Sequence, residues 1–108
     1  MDLLRKNISF LQAFKVLSET QRLILLENVT PEQSKILSDI AANILRGNLR
    51  LSPDKKVLLS KHKKFLRCIS DSNTSHQDRL KCIKNHPKSS LTLIEVSVYK
   101  ITRLVKAK

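Results

Sequence analysis

Gly47 is the only glycine in 108 residues, and three prolines are the only other residues that fix a special backbone angle. A sandwich or barrel of many short strands needs tight turns every few residues, and tight turns draw heavily on glycine and proline. A chain this poor in both is committed to longer elements and few tight turns, which means helices. At 108 residues, 41% of them hydrophobic, the sequence forms one domain of the globular class. A chain of this length buries roughly 65% of its unfolded surface, enough for a core without covalent cross-links.

Helix starts are written into the sequence. Asp2 can accept from the first N–H groups of a helix over Leu3–Leu17, where Leu4, Ile8, Leu11 and Phe14 recur on one face. Ser18 with Gln21 is a capping box that opens a helix over Glu19–Asn28. Four apolar residues in a row there (Leu23 to Leu26) predict a helix inserted between others. Thr30-Pro31-Glu32-Gln33 repeats the box with proline at the first helical position, and the helix runs to Arg46 with Gly47 closing its end. Ser52-Pro53-Asp54 opens a helix that extends to Ser70. Asp71–Ser75 is a polar loop, and a short helix over His76–Asn85 follows, with Leu80 and Ile83 inward and Arg79, Lys81 and Lys84 outward. Pro87 and the serines after it break the chain again. The segment 91–106 has helical spacing in Leu91, Ile94, Val98, Ile101 and Val105 but β-branched content that suits a strand. A strand here has no partner elsewhere, so helix is the better reading. The expected fold is all-α, a compact bundle of five or six short helices.

Charge divides the chain. Residues 1–48 carry six basic and five acidic groups, whereas residues 49–108 carry fifteen basic and four acidic, for a formal total of +12. Such asymmetry points to a polyanionic partner, either nucleic acid or an anionic membrane surface. On a single helix from Pro53 to Ser70, Leu58, Leu59, His62, Phe65, Leu66 and Ile69 share one arc. Lys56, Ser60, Lys63 and Arg67 fall opposite, flanked by Lys64, with Lys61 at the border. With Arg50, Lys55, Arg79, Lys81 and Lys84, these basic residues form the candidate phosphate-contacting set. Lysine dominates it, and lysine acts as a point charge on the backbone whereas arginine reads base edges. Sequence-non-specific binding, to duplex DNA above all, is therefore expected. A helix-turn-helix pairing of the third and fourth helices needs a link shorter than the six residues from Gly47 to Ser52. Single-strand binding needs exposed aromatics, and Phe10, Phe14 and Phe65 fall on core faces.

Other chemistry is sparse. His62 sits within the apolar arc as a core-edge residue. Cys68, His76, Cys82 and His86 have ligand types that suit zinc but spacings that match no common zinc module, and two cysteines are too few for a disulfide-dense scaffold. One glycine cannot make a phosphate-cradling loop, and no nucleophile or carboxylate pair stands in a recognisable setting, so neither catalysis nor a cofactor is expected. No run of about 18 apolar residues suits a membrane span, and the N-terminus lacks the uninterrupted apolar core and cleavage site of a signal peptide. An unsecreted protein of host nucleus, virion or cytoplasm is expected. The rival reading is a helical interaction module, a capsid or host-protein adaptor whose charge serves solubility. Further copies of the chain are another candidate partner, and an amphipathic tail resting on a membrane is a third reading.

Some of these features occur together in a known group. Ser18 with Gln21-Arg22, the run Ala42-Asn43-Ile44-Leu45-Arg46-Gly47-Asn48, Leu51-Ser52-Pro53, Lys61-His62-Lys63-Lys64 and Leu66-Arg67 are the features concerned. With the basic segment from Arg79 to Lys84, they resemble small basic proteins encoded by the adenovirus-like Polinton/Maverick and adintovirus elements of invertebrates. The resemblance covers about three-quarters of the chain, from Phe10 to Asn85, and implies a double-stranded DNA element as context and a virion protein as role. The chain departs from the group at Asn85-His86-Pro87-Lys88, where relatives turn through paired glycines. It departs again in a tail that keeps Lys100, Arg103, Lys106 and Lys108.

Overall fold

A computed structural model describes residues 8–48 and 51–106, with side chains described up to residue 99. Leu4 and the expected start of the first helix lie outside the described residues, as does Arg50. The described residues form α1 (Ile8–Gln12), a 3-10 turn (Ala13–Val16), α2 (Glu19–Glu27), α3 (Pro31–Leu45), α4 (Pro53–Ser60), α5 (Lys63–Ser70), α6 (His76–Asn85) and α7 (Pro87–Lys106). The all-α class holds, with seven helices among the described residues where five or six were expected.

The capping signals act as read. Ser18 Oγ accepts from the Gln21 N–H while Gln21 Oε1 accepts from the Ser18 N–H, and Thr30 and Gln33 do the same for α3. At the other end of α3, Gly47 has φ +75°, with its N–H donating to the Ile44 carbonyl and the Asn48 N–H to the Asn43 carbonyl. This pair of bonds is a Schellman closure, and glycine meets no Cβ penalty in its left-handed position. Ser75 and Asp78 cap α6 in the same reciprocal manner, a box not expected from the sequence.

Three expectations are corrected. The helix over Pro53–Ser70 is two helices. The Lys61 and His62 amides bond only three residues back, to Leu58 and Leu59, and His62 adopts φ −117°, ψ 19°. Its ring is anchored on α7, with Nδ1 2.7 Å from the Ser89 hydroxyl and Nε2 3.4 Å from that of Thr92. The anchor turns the backbone out of helix at that point, so His62 is a junction residue and not part of a continuous apolar arc. The helix does break ahead of Pro87, but at His86 (φ −134°, ψ 63°) and not over Pro87 and the serines: Pro87 begins α7, where its missing N–H costs nothing, and the serines lie inside that helix. Nor is α2 sandwiched: Leu26 is buried but Ile24 is 58% exposed.

The segment 91–106 is helical and central. α7 packs against α1, the 3-10 turn, α2, α4 and α6, while α3 packs most extensively on α5. Ser90, Leu93, Ile94, Val96 and Ser97 of α7 are buried. The two serines satisfy their hydroxyls on carbonyls four residues back, Ser90 on that of His86 just ahead of the helix and Ser97 on that of Leu93, and so let neighbours approach closely without an orphaned polar group. The buried apolar side chains form one cluster, with Phe14, Leu37, Ile40, Phe65, Leu66 and Ile83 among the largest.

Cys68 of α5 and Cys82 of α6 form a disulfide, closing the loop that carries Asp71–Ser75. The four-residue zinc set is therefore not assembled: its two sulfurs are bonded to each other, and His76 Nδ1 lies 2.8 Å from the Ser34 hydroxyl on α3. A bridge across 14 residues of separation stabilises by about 3 kcal/mol in chain-entropy terms. Reduction is expected to lower the melting temperature by about 10–25 °C for a domain this size, read by circular dichroism with and without a phosphine reductant. A melt unchanged by reduction would refute the bridge's role.

Candidate nucleic-acid interface

The basic surface is built by two short helices. On α5, Phe65, Leu66 and Ile69 are buried against α3, which leaves positions 63, 64 and 67 pointing the other way at 100° per residue. Lys63, Lys64 and Arg67 are accordingly exposed, as are Lys56 on α4 and Lys61 at the junction. The break at His62 does not scatter them, because each half keeps its own buried side: Leu59 for α4, and the Phe65 group for α5. Among the described residues the only ion pair is Lys35–Asp39, at 3.0 Å on α3, so none of these five cations is neutralised by a described carboxylate.

A cleft of about 420 Å³ runs between the end of α3 and the α4–α5 pair. Ile44, Leu45, Leu51, Leu59 and Leu66 give it an apolar wall, and Lys56 and Lys63 both stand on its lining. These two lysines, seven positions apart and on different helices, are thereby brought to one edge.

The remaining members of the expected set are placed differently. Lys55 is half-buried, with Nζ 5.2 Å from the centre of the Tyr99 ring on α7, a cation–π geometry that draws it away from the cleft side. Arg79 does not point outward. It is half-buried, its Nε donating to the Ser34 hydroxyl at 2.8 Å and Nη1 to the Thr74 carbonyl at 2.7 Å. Ser34 is fully buried, and the Ser34–His76–Arg79 knot ties α3 to α6. The Ser34 hydroxyl, which itself donates to the Pro31 carbonyl at 3.0 Å, and the Thr74 carbonyl give the guanidinium two acceptors on the inner side, while its apolar stem is covered. Lys81 and Lys84 are exposed on α6. Lys81 lines a second cleft, of about 400 Å³, together with Asp71, Asp78 and the disulfide, so its charge is set among carboxylates.

Lys88 is a member that sequence reasoning missed, because Pro87 was read as a break. It is exposed in the first turn of α7, next to Ser89, whose hydroxyl holds His62 between Lys61 and Lys63. The signal available was proline at a first helical position, which fits a helix start as well as a stop.

The aromatic residues give no stacking surface among the described residues. Phe14 and Phe65 are buried, Phe10 packs edge-on to Phe14 with ring centres 5.4 Å apart, and the one exposed aromatic ring, Tyr99, has the Lys55 ammonium 5.2 Å from its centre. Comparison with known proteins finds no matching family model, no matching curated protein and no matching solved structure.

Proposed function

We propose that this chain is a non-enzymatic nucleic-acid-binding protein that grips the phosphate backbone, mainly without regard to sequence, and that duplex DNA is its principal ligand. The observation that carries the reading is the cluster Lys56, Lys61, Lys63, Lys64 and Arg67, displayed on two short helices whose opposite sides are locked in the core. Lysines held this way neutralise phosphates and release counterions whatever the base sequence. Lys88 extends the cluster, and Lys84 adds to the charge from α6.

The sequence resemblance to proteins of adenovirus-like elements supplies the setting: a protein that packages or coats a viral or virus-like genome, in host nucleus or virion. The disulfide suits such a life. Thiols stay reduced in cytosol and nucleus and pair in oxidising surroundings, including the particle outside the cell. The chain would be looser while being made and stapled once packaged.

Titration against duplex DNA, duplex RNA and anionic liposomes at several salt concentrations tests the reading. With four to six phosphates neutralised, log affinity for DNA falls with log salt at a slope of about −4 to −5, and scrambling the DNA sequence changes little. A flat response to salt or a strong preference for one site would overturn it. The cleft between α3 and α4–α5 favours one second reading, a capsid or host-protein adaptor, because its apolar wall and paired lysines suit an acidic amphipathic segment. Under that reading DNA binding is weak from the start. No described helix is long and apolar enough to cross a membrane.

A further inference from the structure

The two ends of the Cys68–Cys82 bridge differ in exposure. Cys68 is exposed in the last turn of α5, at the edge of the arc that buries Phe65 and Ile69. Cys82 is 5% exposed on α6, next to the buried Ile83. Both line the cleft of about 400 Å³ that also takes in Asp71, Asp78, Lys81 and His86. Exposed cations stand around Cys68: Arg67 beside it, Lys64 one turn before it and Lys81 on the cleft wall. The two carboxylates of the cleft are each turned onto a backbone amide. Asp71 accepts from the Asn73 N–H at 2.9 Å, and Asp78 from the Ser75 N–H at 3.4 Å.

We propose that Cys68 is a site of reversible covalent modification, at which a low-molecular-weight thiol of the glutathione class opens the bridge and forms a mixed disulfide. Thiol–disulfide exchange requires a thiolate to reach one sulfur of the bridge, so access chooses which sulfur reacts. The incoming sulfur bonds to Cys68 Sγ, the Sγ–Sγ bond breaks, and its electron pair leaves with Cys82 Sγ. Cys82 then takes up one proton, matching the one that the incoming thiol gave up. One thiol is consumed, one thiol appears at Cys82, and the small thiol is the only reagent. The surrounding cations favour the step, because the group that approaches is an anion.

Opening the bridge leaves both helices seated. α5 is held on α3 through Phe65, Leu66 and Ile69, and α6 is held there by the knot of Ser34, His76 and Arg79. The Cys82 thiol therefore stays near Cys68, whose Cα lies 6.4 Å from its own in the bridged form, and can attack Cys68 Sγ in turn to expel the small thiol. The site thus follows the ratio of reduced to oxidised small thiol around a protein that stays folded. It rests on the bridge and its unequal exposure, and stands whether or not the chain binds nucleic acid.

Peptide mapping of the bridged wild type provides the test. The protein is treated with excess glutathione below its melting range, quenched in acid after short times, and digested with pepsin at low pH for mass spectrometry. Adduct on Cys68 is expected to exceed adduct on Cys82 by about tenfold or more, and urea below the unfolding transition is expected to leave the rate nearly unchanged. Adduct shared evenly between the two sulfurs, a rate that climbs with urea as global unfolding does, or a bridge that does not react would each overturn the proposal. Single variants treated with oxidised glutathione measure access directly. Cys82→Ser, which keeps the exposed thiol, is expected to acquire adduct about tenfold or more faster than Cys68→Ser, which keeps the buried one. Equal rates refute the site, and should either variant fail to fold, the wild-type map decides alone. DNA enters neither measurement, so failure here leaves the nucleic-acid reading intact, and failure of that reading leaves this one intact.

Discussion

Replacing Lys56, Lys63 and Arg67 together by glutamate is expected to weaken duplex DNA binding by about 10²–10³-fold near 0.1 M salt. Each substitution frees one phosphate to recover its counterion, and each puts a like charge against the backbone. Allowing about 0.5–0.7 kcal/mol for each of these six changes gives that range. The salt slope should also shrink by nearly one for each phosphate no longer neutralised. All three side chains are exposed and unpaired with any described carboxylate. Melting should therefore move little, since exposed substitutions usually stay within about 0.5 kcal/mol. Fluorescence anisotropy with labelled duplex and a circular-dichroism melt on the same preparation separate the two effects. A triple variant that folds and binds like wild type removes α4–α5 from the interface and leaves Lys81, Lys84 and Lys88 as the next surface to reverse.

Phe65→Ala, two positions from Lys63 on the same helix, is expected to do the opposite. The ring is 1% exposed, packed in the core that joins α5 to α3, with its centre 5.9 Å from that of His86. Truncation loses the transfer free energy of the ring and leaves a cavity, together about 3–5 kcal/mol. Domains of this size are held by about 5–15 kcal/mol in all. The melting temperature should drop by well over 10 °C, and DNA binding measured well below the new midpoint should be nearly unchanged. Loss of binding from a variant that remains fully folded would mean that Phe65 belongs to the interface and not to the core.

The contrast between these two residues shows what the sequence made legible. Helix starts were readable because caps are local: Ser18, Thr30 and Ser52 act on amides three residues away. The exposure of Lys56, Lys63, Lys64 and Arg67 was readable because the side of a helix they occupy follows from their immediate neighbours, whether that helix has one piece or two. The break at His62 was not, because its cause lies on α7, 27 and 30 residues further along. Arg79 escaped for the same reason, since the partner that turns it inward is Ser34, 45 residues back. The pairing of Cys68 with Cys82 depends on how α5 and α6 are brought together, which no spacing rule states. Ile24 was expected inside because four consecutive apolar residues ordinarily need several neighbours. Only the packed arrangement reveals that, among the described residues, Ile24 is left exposed.

The place of α7 in the chain has a consequence for how the protein comes into being. The helix that touches α1, the 3-10 turn, α2, α4 and α6 is the one that follows them all in the sequence. On a ribosome the earlier helices therefore emerge with their shared partner still unmade. Leu11, Phe14 and Leu26 have no Leu93, Ile94 or Val96 to meet until that last stretch has cleared the exit tunnel. During that wait the unfinished apolar surfaces stand open, beside the basic segment of α4 and α5.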